Sequence, residues 1–420
     1  METVRLKLSG NRKLNKPKKV AQNELDVLRF IHTRINSSRV ELAREVGLSA
    51  ASMTAIVHDL IEKRLVVESG RGSSTLGRKP VSLSIRSDAA YLLGVDLGTY
   101  FLRVVIADMN GKVIHKSQTE TKISEGRTIV MERMGKFIRT AMRESKLPKG
   151  DIKGIGIGHS GVIDSERGVV LSYPRPGQMS DWKNLPVRDM FQKEFGIPCL
   201  LEDSVRASAI AEKAYGLGKD LKDFIYTEVG IGIGSGIFLD GKLYRGAGGG
   251  AGEFGHITVD EDGPLCSCGN AGCLEAVASC SAIIQAVRRA IDKGVDSKIR
   301  DLAGGDLDKV SVELIAQAAM ENDSLAFRVL QDAVSHIGTG LANMVNLLNP
   351  SVLIFGGGLF RAAPQSLLDP LKRVIKRRSL EKSANEVQLM VSRMGSEAGA
   401  IGAARLISQQ ILKDLYLEHQ

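Results

Sequence analysis

Three cysteines, Cys266, Cys268 and Cys273, fall within eight positions, and His256 precedes the first of them by ten residues. One imidazole and three thiolates at the spacing His-x9-Cys-x-Cys-x4-Cys can close a tetrahedral zinc shell. Four protein ligands leave no open coordination position, so the metal expected here is structural. The three cysteines lie in a loop that carries Gly269 and Gly272 and could not otherwise fold stably, so bound metal would contribute its folding free energy directly. The remaining cysteines, Cys199 and Cys280, read as buried apolar thiols. Crowded thiols in a chain expected to be cytoplasmic favour metal over disulfide.

That compartment follows from what the chain lacks. No run approaches the roughly 18–20 apolar residues that span a bilayer, and the polar, basic first residues do not form a signal peptide. A length of 420 residues exceeds the usual single domain and predicts a small module attached to a larger body. The charge is divided unevenly. Of the formal net +9, residues 1–85 hold 16 Lys/Arg against 8 Asp/Glu. A basic module on a near-neutral body is the footprint of a polyanion binder, and membrane partners are not expected. Residues 1–19 (Arg5, Lys7, Arg12, Lys13, Lys16, Lys18, Lys19) read as a flexible basic leader, equally compatible with a solvated tail.

Residues 20–86 spell a winged helix-turn-helix. Leu25, Val27, Leu28 and Ile31 recur at helical spacing, and a short helix from Ser37 is closed by Gly47. Ser49 then caps a second helix running to about Arg64. Leu65–Ser69 and Val81–Ile85 alternate like paired strands around a polar, basic wing. Short side chains at the start of the second helix can reach groove edges, so Ser49, Ala51, Ser52 and Thr54 are the candidate DNA contacts, with Arg71, Arg78 and Lys79 from the wing. Gly77–Pro80 could also lay a basic strand into a narrow minor groove, or serve simply as the wing turn.

From Tyr91 onward strands and helices alternate in an α/β pattern. Strands are expected at 92–98, 101–108, 112–117, 152–158, 224–229, 236–239 and 352–355. Helices are expected at 129–144, 205–215, 274–293, 325–348 and 395–415.

Gly252-Glu253-Phe254-Gly255-His256 followed by Cys266-Ser267-Cys268-Gly269-Asn270-Ala271-Gly272-Cys273-Leu274-Glu275 resembles the signature of the ROK family of repressors, open reading frames and sugar kinases. With the preceding winged helix the resemblance covers essentially the whole chain. It implies an actin/hexokinase-like ATPase fold of two α/β lobes over 90–420, one of roughly 90–205 with the C-terminal helix near 400–420, the other of 206–395. By the same resemblance Glu253, His256 and Glu275 bind sugar hydroxyls, Ser160-Gly161 and Asp181-Trp182 help close the cleft, and Asp203 lies beside the ligand.

The departures from the family pattern concern catalysis. Where kinases carry Glu-Asn-Asp-Ala-Asn, this chain has Glu202-Asp203-Ser204-Val205-Arg206, which puts Ser204 on the catalytic Asp. A one-residue slip would instead offer Asp203 as base. The phosphate loop Asp-x-Gly-Gly-Thr-Lys has become Asp96-Leu97-Gly98-Thr99-Tyr100-Phe101, and bulky residues crowd a backbone approach to phosphate. Ile231 replaces a Thr in the second loop, while Gly356-Gly357-Gly358 still resembles the adenosine-side turn. The expectation is a non-catalytic, sugar-responsive repressor that binds structural zinc but not ATP. Its partners are operator DNA and a sugar or sugar phosphate, and it works as a homodimer or homotetramer. A DNA-binding sugar kinase and a sugar-blind regulator controlled by a partner protein are the alternatives.

Overall fold

The computed structural model describes residues 16–34, 37–71, 81–148, 150–173 and 182–419. Its contacts divide the chain into two units, Met1–Ala89 with Gln409–Gln420, and Ala90–Ser408. Among the described residues no helix is long and apolar enough to cross a membrane.

The first unit runs α1 (Lys16–Thr33), β1 (Ser37–Ser38), α2 (Arg39–Val46), α3 (Ala50–Glu62), β2 (Val66–Arg71) and β3 (Val81–Ile85). Ser38 opens α2 with a capping box: its hydroxyl accepts from Glu41 N while the Glu41 carboxylate accepts from Ser38 N. Gly47 ends the helix at φ 70°, a left-handed turn that costs glycine nothing. Ser49 caps α3 by accepting from Ser52 N. The apolar stripe of α3 (Met53, Ile56, Val57, Leu60) meets Val27, Leu28 and Ile31 of α1 and Leu42 of α2 in a closed core, each such side chain contributing roughly 1.5–3 kcal/mol. The strands form a sheet in the order β1-β3-β2, all antiparallel. The short β1 was not foreseen, because two serines carry no strand signal.

One expectation needs correcting. The sequence reading put all of 90–420 in the body, yet Gln409–Gln420 groups with the first unit. The cause is a buried polar contact that sequence spacing could not reveal. The Tyr416 hydroxyl donates to Glu24 Oε2 at 2.7 Å, and Lys63 Nζ, 3.1 Å from the same carboxylate, lies over the Tyr416 ring.

The second unit begins with β4 (Tyr91–Leu97), β5 (Phe101–Asp108), β6 (Val113–Glu120) and α4 (Arg127–Glu144). It continues through β7 (Ile152–His159), β8 (Val162–Asp164), β9 (Val169–Ser172), α5 (Val187–Phe195), β10 (Cys199–Asp203) and α6 (Ser204–Tyr215). Then come β11 (Phe224–Val229), β12 (Ile233–Leu239), β13 (Lys242–Tyr244), α7 (Leu274–Ala278) and α8 (Cys280–Asp292). Next are α9 (Lys298–Leu302), α10 (Val312–Met320), α11 (Ser324–Leu348), β14 (Val352–Gly356) and α12 (Gly358–Ala362). The chain closes with α13 (Pro364–Arg378), α14 (Glu381–Glu386), β15 (Gln388–Val391) and α15 (Ala398–Glu418).

Two five-stranded mixed sheets result, ordered β10-β7-β4-β5-β6 and β13-β12-β11-β14-β15. In each, an antiparallel meander adjoins parallel strands, and each sheet has its own apolar core. Small residues let helices lie directly on the first sheet. A Cβ on Gly94 would sit 1.8 Å from Ala400 O of α15, and one on Gly156 would sit 1.7 Å from Ala403 O. Gly402 makes the same close approach to Ala207 O of α6.

The single helix expected over 274–293 is two. Ser279 breaks it with extended backbone (φ −68°, ψ 162°) and caps α8 by accepting from Ala282 N. The amide thus freed on Cys280 donates to Gly230 O at 2.8 Å.

Candidate functional site

Between the two sheets of the second unit lies a cleft of about 540 Å³. The C-terminal ends of β4 and β10, the turns that follow β7 and β11, and the segment 251–256 all open onto it. Ligands of parallel α/β sheets bind outside the carboxyl ends of the strands. Glu253, His256, Glu275, Asp203 and Gly161, all expected at the sugar, line this one cavity.

Each is fixed by a local device. Gly252 has φ 95° and packs against Ser235 O where a Cβ would come within 2.1 Å, so the chain passes close to β12 before presenting the exposed Glu253. Glu275 follows Cys273 on the first turn of α7, and its Oε2 accepts from Ile233 N at 2.9 Å. Gly161 N donates to His159 Nδ1. Asp203 caps α6, its Oδ1 accepting from both Val205 N (3.0 Å) and Arg206 N (2.9 Å). Desolvation pushes the Asp203 pKa up to about 7 against the pull of Arg206, with Glu253 adding to the rise. Ser204, at the position matched to the kinase base, lines the cleft at the first turn of α6.

Behind Asp203 stands a buried ion-pair network that the sequence reading did not identify. Glu202 is fully enclosed. Its Oε1 accepts from Arg206 Nε at 2.8 Å and from Ser165 Oγ at 3.0 Å, and its Oε2 accepts from Arg245 Nε at 2.8 Å. Arg206 also donates to Gly249 O and Ala251 O, just before Glu253. Burial alone would raise the Glu202 pKa, but the two guanidinium groups outweigh it and hold the carboxyl below the ordinary range. Glu202 ends β10 and Arg206 lies in the first turn of α6, so the four-residue spacing between them spans a strand-to-helix junction.

Another part of the cleft wall is occupied by the protein's own contacts. Thr99 Oγ1 shares a 2.7 Å hydrogen bond with the Tyr173 hydroxyl, which also lies 3.2 Å from Ser160 Oγ. Tyr173 packs against His159 and Trp182. Trp182, expected at the cleft, is instead completely buried in this aromatic block, because its large apolar ring is better placed in the core. Asp181 lies outside the described residues. Tyr100 and Phe101 stand 57% and 40% exposed at the rim. Asp96 is buried beside Gly399, 3.6 Å from Arg103, and its Oδ1 has no hydrogen-bond partner among the described residues. Desolvation raises its pKa to about 7 against the effect of Arg103.

Below the sugar end, the ligand atoms of His256, Cys266, Cys268 and Cys273 all lie within 4.8 Å of one another. His256 Nδ1 is 3.6 Å from Cys266 Sγ, and Cys268 Sγ is 3.7 Å from Cys273 Sγ. With Zn–S near 2.3 Å and Zn–N near 2.0–2.1 Å, a tetrahedron has S–S and N–S edges of about 3.8 and 3.6 Å. The four groups therefore fit a metal ion of that size.

In the first unit, Ser49, Ala51, Ser52 and Thr54 are exposed at the start of α3. All three of their hydroxyls are engaged locally: Ser49 Oγ pairs with Ser52 Oγ, and Thr54 Oγ1 donates to Ala50 O. His58, one turn past Thr54, shares the exposed face and was missed, although its spacing from Ala51 and Thr54 marked it. Arg71 ends β2, while Arg78 and Lys79 lie outside the described residues.

Two mixed sheets flanking a cleft with a Glu-x-x-His and cysteine loop define a class. The chain belongs to the ROK family, which it matches over residues 92–410. It is 33% identical to the xylose repressor of Caldicellulosiruptor bescii across 93% of this chain and 96% of that one. Among solved structures, a ROK family transcriptional regulator described as a homologue of the E. coli MLC protein superposes with TM-score 0.78 at 30% identity, covering 96% of this chain and 98% of that one. A ROK family glucokinase from Streptomyces griseus, solved with glucose and AMPPNP, superposes with TM-score 0.66 at 30% identity, covering 76% of this chain and 99% of that one.

Proposed function

We propose that this chain is a sugar-responsive transcriptional repressor of carbohydrate genes, built from a winged helix-turn-helix and a kinase-derived sugar-binding body without phosphotransfer activity. One observation carries the reading. The cleft keeps Glu253, His256 and Glu275 on a single wall, whereas the position of the proton acceptor is Ser204 and Tyr100 and Phe101 stand in the first phosphate loop. Converging carboxylates and an imidazole suit sugar hydroxyls, and a serine without a basic partner is a poor base at neutral pH. Asp203 Oδ1 is engaged by the amides that open α6, which favours Ser204 as the residue at the position of the base.

The α2–Gly47–α3 arrangement and the antiparallel β2–β3 pair support operator binding, with Ser49, Ala51, Ser52, Thr54 and His58 facing the groove and Arg71, Arg78 and Lys79 acting from the wing. Zinc bound by His256, Cys266, Cys268 and Cys273 would be structural, holding the strand-free loop closed and fixing the α7 turn that carries Glu275. A symmetric dimer or tetramer would grip a pseudo-palindromic operator. Sugar binding releases DNA if the two conformations differ in affinity for it by a few kcal/mol.

Gel shifts on operator fragments from the chain's own promoter region, titrated with monosaccharides and sugar phosphates, test this. Release by at least one sugar is expected. If none changes operator affinity at millimolar concentration, the effector half of the reading fails. Turnover in a coupled ADP-release assay, abolished by Asp203→Ala, would establish the kinase alternative instead.

A further inference from the structure

The segment that leads into Glu253 has almost no side chain to hold it. Residues 246–252 read Gly-Ala-Gly-Gly-Gly-Ala-Gly, with nothing larger than a methyl group. Such a run has no apolar surface to bury, and glycine loses more conformational freedom on folding than any other residue. Gly246, Gly249 and Gly252 take φ of 71°, 77° and 95°, and a Cβ on Gly248 or Gly250 would meet nothing within 4 Å. Packing sets Gly252 against β12 but does not locate the residues before it. Their backbone has to be gripped from outside.

One side chain supplies that grip. Arg206, buried in the first turn of α6, sends Nη1 to Gly249 O at 2.8 Å and to Ala251 O at 3.2 Å, while its Nε bonds Glu202 Oε1 at 2.8 Å. Glu202 is the hub. It ends the part of β10 that pairs with β7 in the first sheet, and its other oxygen takes Arg245 Nη2 at 2.7 Å and Nε at 2.8 Å. Arg245 directly follows β13 of the second sheet and opens the glycine run, and its carbonyl accepts from Ala251 N at 3.0 Å. The loop is thus tied at its start by one guanidinium and near its end by the other, both through a carboxylate carried on the opposite sheet. A buried ion pair is weak evidence for stability, because desolvation offsets its attraction. What this one supplies is direction. An apolar residue at 206 could fill the space but could not bond two carbonyls and a carboxylate at once. The asparagine of the kinase pattern has no charge to set against Glu202.

We infer that Arg206 is the positioning residue of the sugar wall: with Glu202 and Arg245 it clamps the 246–252 loop to the first sheet and fixes where Glu253 stands before a ligand arrives. It acts through the loop rather than by touching the ligand. This rests on the reading of the cleft as a sugar site and names the side chain that holds that site in place.

The test combines calorimetry of the full-length protein, against a panel of monosaccharides and sugar phosphates, with hydrogen exchange of the same protein without ligand. Arg206→Lys keeps the charge but cannot reach Glu202 and both carbonyls together. Affinity for the sugar that binds should fall roughly 10- to 100-fold, the worth of a charge-assisted hydrogen bond. The peptide spanning 245–253, whose Ala251 amide bonds Arg245 O, should exchange roughly tenfold faster or more, while the buried strand β11 keeps its protection. Arg245→Gln, at a partly exposed side chain, should move both readouts in the same direction by a smaller factor, and serves if Arg206→Lys does not fold. A merely structural role would lower protection across both sheets, whereas a positioning role confines the change to the loop and the ligand. Wild-type sugar affinity, unchanged exchange of 245–253, or loss of protection spread over both sheets each overturns the inference while leaving the sugar reading intact. Silence of the wild-type protein toward every sugar overturns the sugar reading, and with it the role assigned to Arg206.

Discussion

Two parts of the cleft wall are made rigid in different ways. Around Glu253 and His256, the side chains that face the cavity come from the 251–256 segment and the first turn of α7. Their positions depend on Gly252 passing close to β12, on Glu275 bonding Ile233 N, and on four metal-ligand groups gathered beneath them. Elsewhere on the cleft wall the hydroxyls of Thr99 and Ser160 are tied to Tyr173, and Tyr173 rests on the buried rings of His159 and Trp182. One part is held by polar contacts beside four potential metal ligands, the other by an aromatic core. The difference teaches that polar groups lining one cleft can be held in place either by loop and backbone contacts or by packing on buried aromatic rings. It also locates fragility at the sugar end.

The strongest way to break the comparison is at the metal ligands. Cys273→Ser, or prolonged chelation, should release bound zinc, measured by elemental analysis, and abolish sugar binding. Structural zinc sites in small peptides contribute about 10–16 kcal/mol of apparent binding free energy, so a fall in Tm of many degrees is expected. An unchanged Tm and sugar affinity after metal loss would mean that the loop is held by other contacts.

A smaller effect probes the aromatic block. Burial depresses the His159 pKa to about 3, so the folded protein carries it neutral while the unfolded chain protonates it near 6.5. The unfolded state then binds more protons between these values, so stability falls as pH drops below about 6.5 and continues to fall toward 3. Between pH 6.5 and 4.5 this amounts to about 2–3 kcal/mol. His159→Asn retains an acceptor for Gly161 N and should flatten this acid limb in denaturant titrations, without altering sugar affinity at pH 7.5. An acid limb of unchanged slope would assign the loss to other groups.

Glu275→Ala removes a carboxylate at the sugar wall and the acceptor of Ile233 N together. Charged hydrogen bonds contribute about 1.5–3 kcal/mol, so sugar affinity should fall roughly 10- to 100-fold by calorimetry. Operator affinity without sugar should stay the same. Least of all should change on Tyr100→Ala: an exposed rim residue outside both supporting networks is expected to shift stability and sugar affinity by no more than about 0.5 kcal/mol. A large loss there would show that the rim contributes to the ligand site after all.

Much of this site was legible before folding was considered. The metal cluster could be read because its four ligands lie within eighteen consecutive positions, and the cap–turn–cap sequence around Gly47 could be read because helix ends are local events. Glu253, His256 and Glu275 were legible through the family pattern they share with the cysteines. The break at Ser279 was not, since it depends on Cys280 N reaching Gly230 O, fifty residues away in the chain. Trp182 was placed at the cleft by the family resemblance, which carries no information on the rings of His159 and Tyr173 that bury it. The Glu202 network was overlooked because a carboxylate's burial is a property of what surrounds it.

The sequence by itself determined the kinds of chemistry available: thiolates and an imidazole at metal spacing, a basic segment of helices and strands, carboxylates where a sugar is expected, and serine where a base would be required. Tertiary structure decided how those groups were used. It turned Asp203 back onto the amides of α6, closed the two arginines on Glu202, and placed the final turns of α15 with residues 16–89 through Tyr416 and Glu24. The physical reason is that the energy of a charge or a buried polar group is set by desolvation and by partners brought from distant parts of the chain, which short-range pattern does not encode.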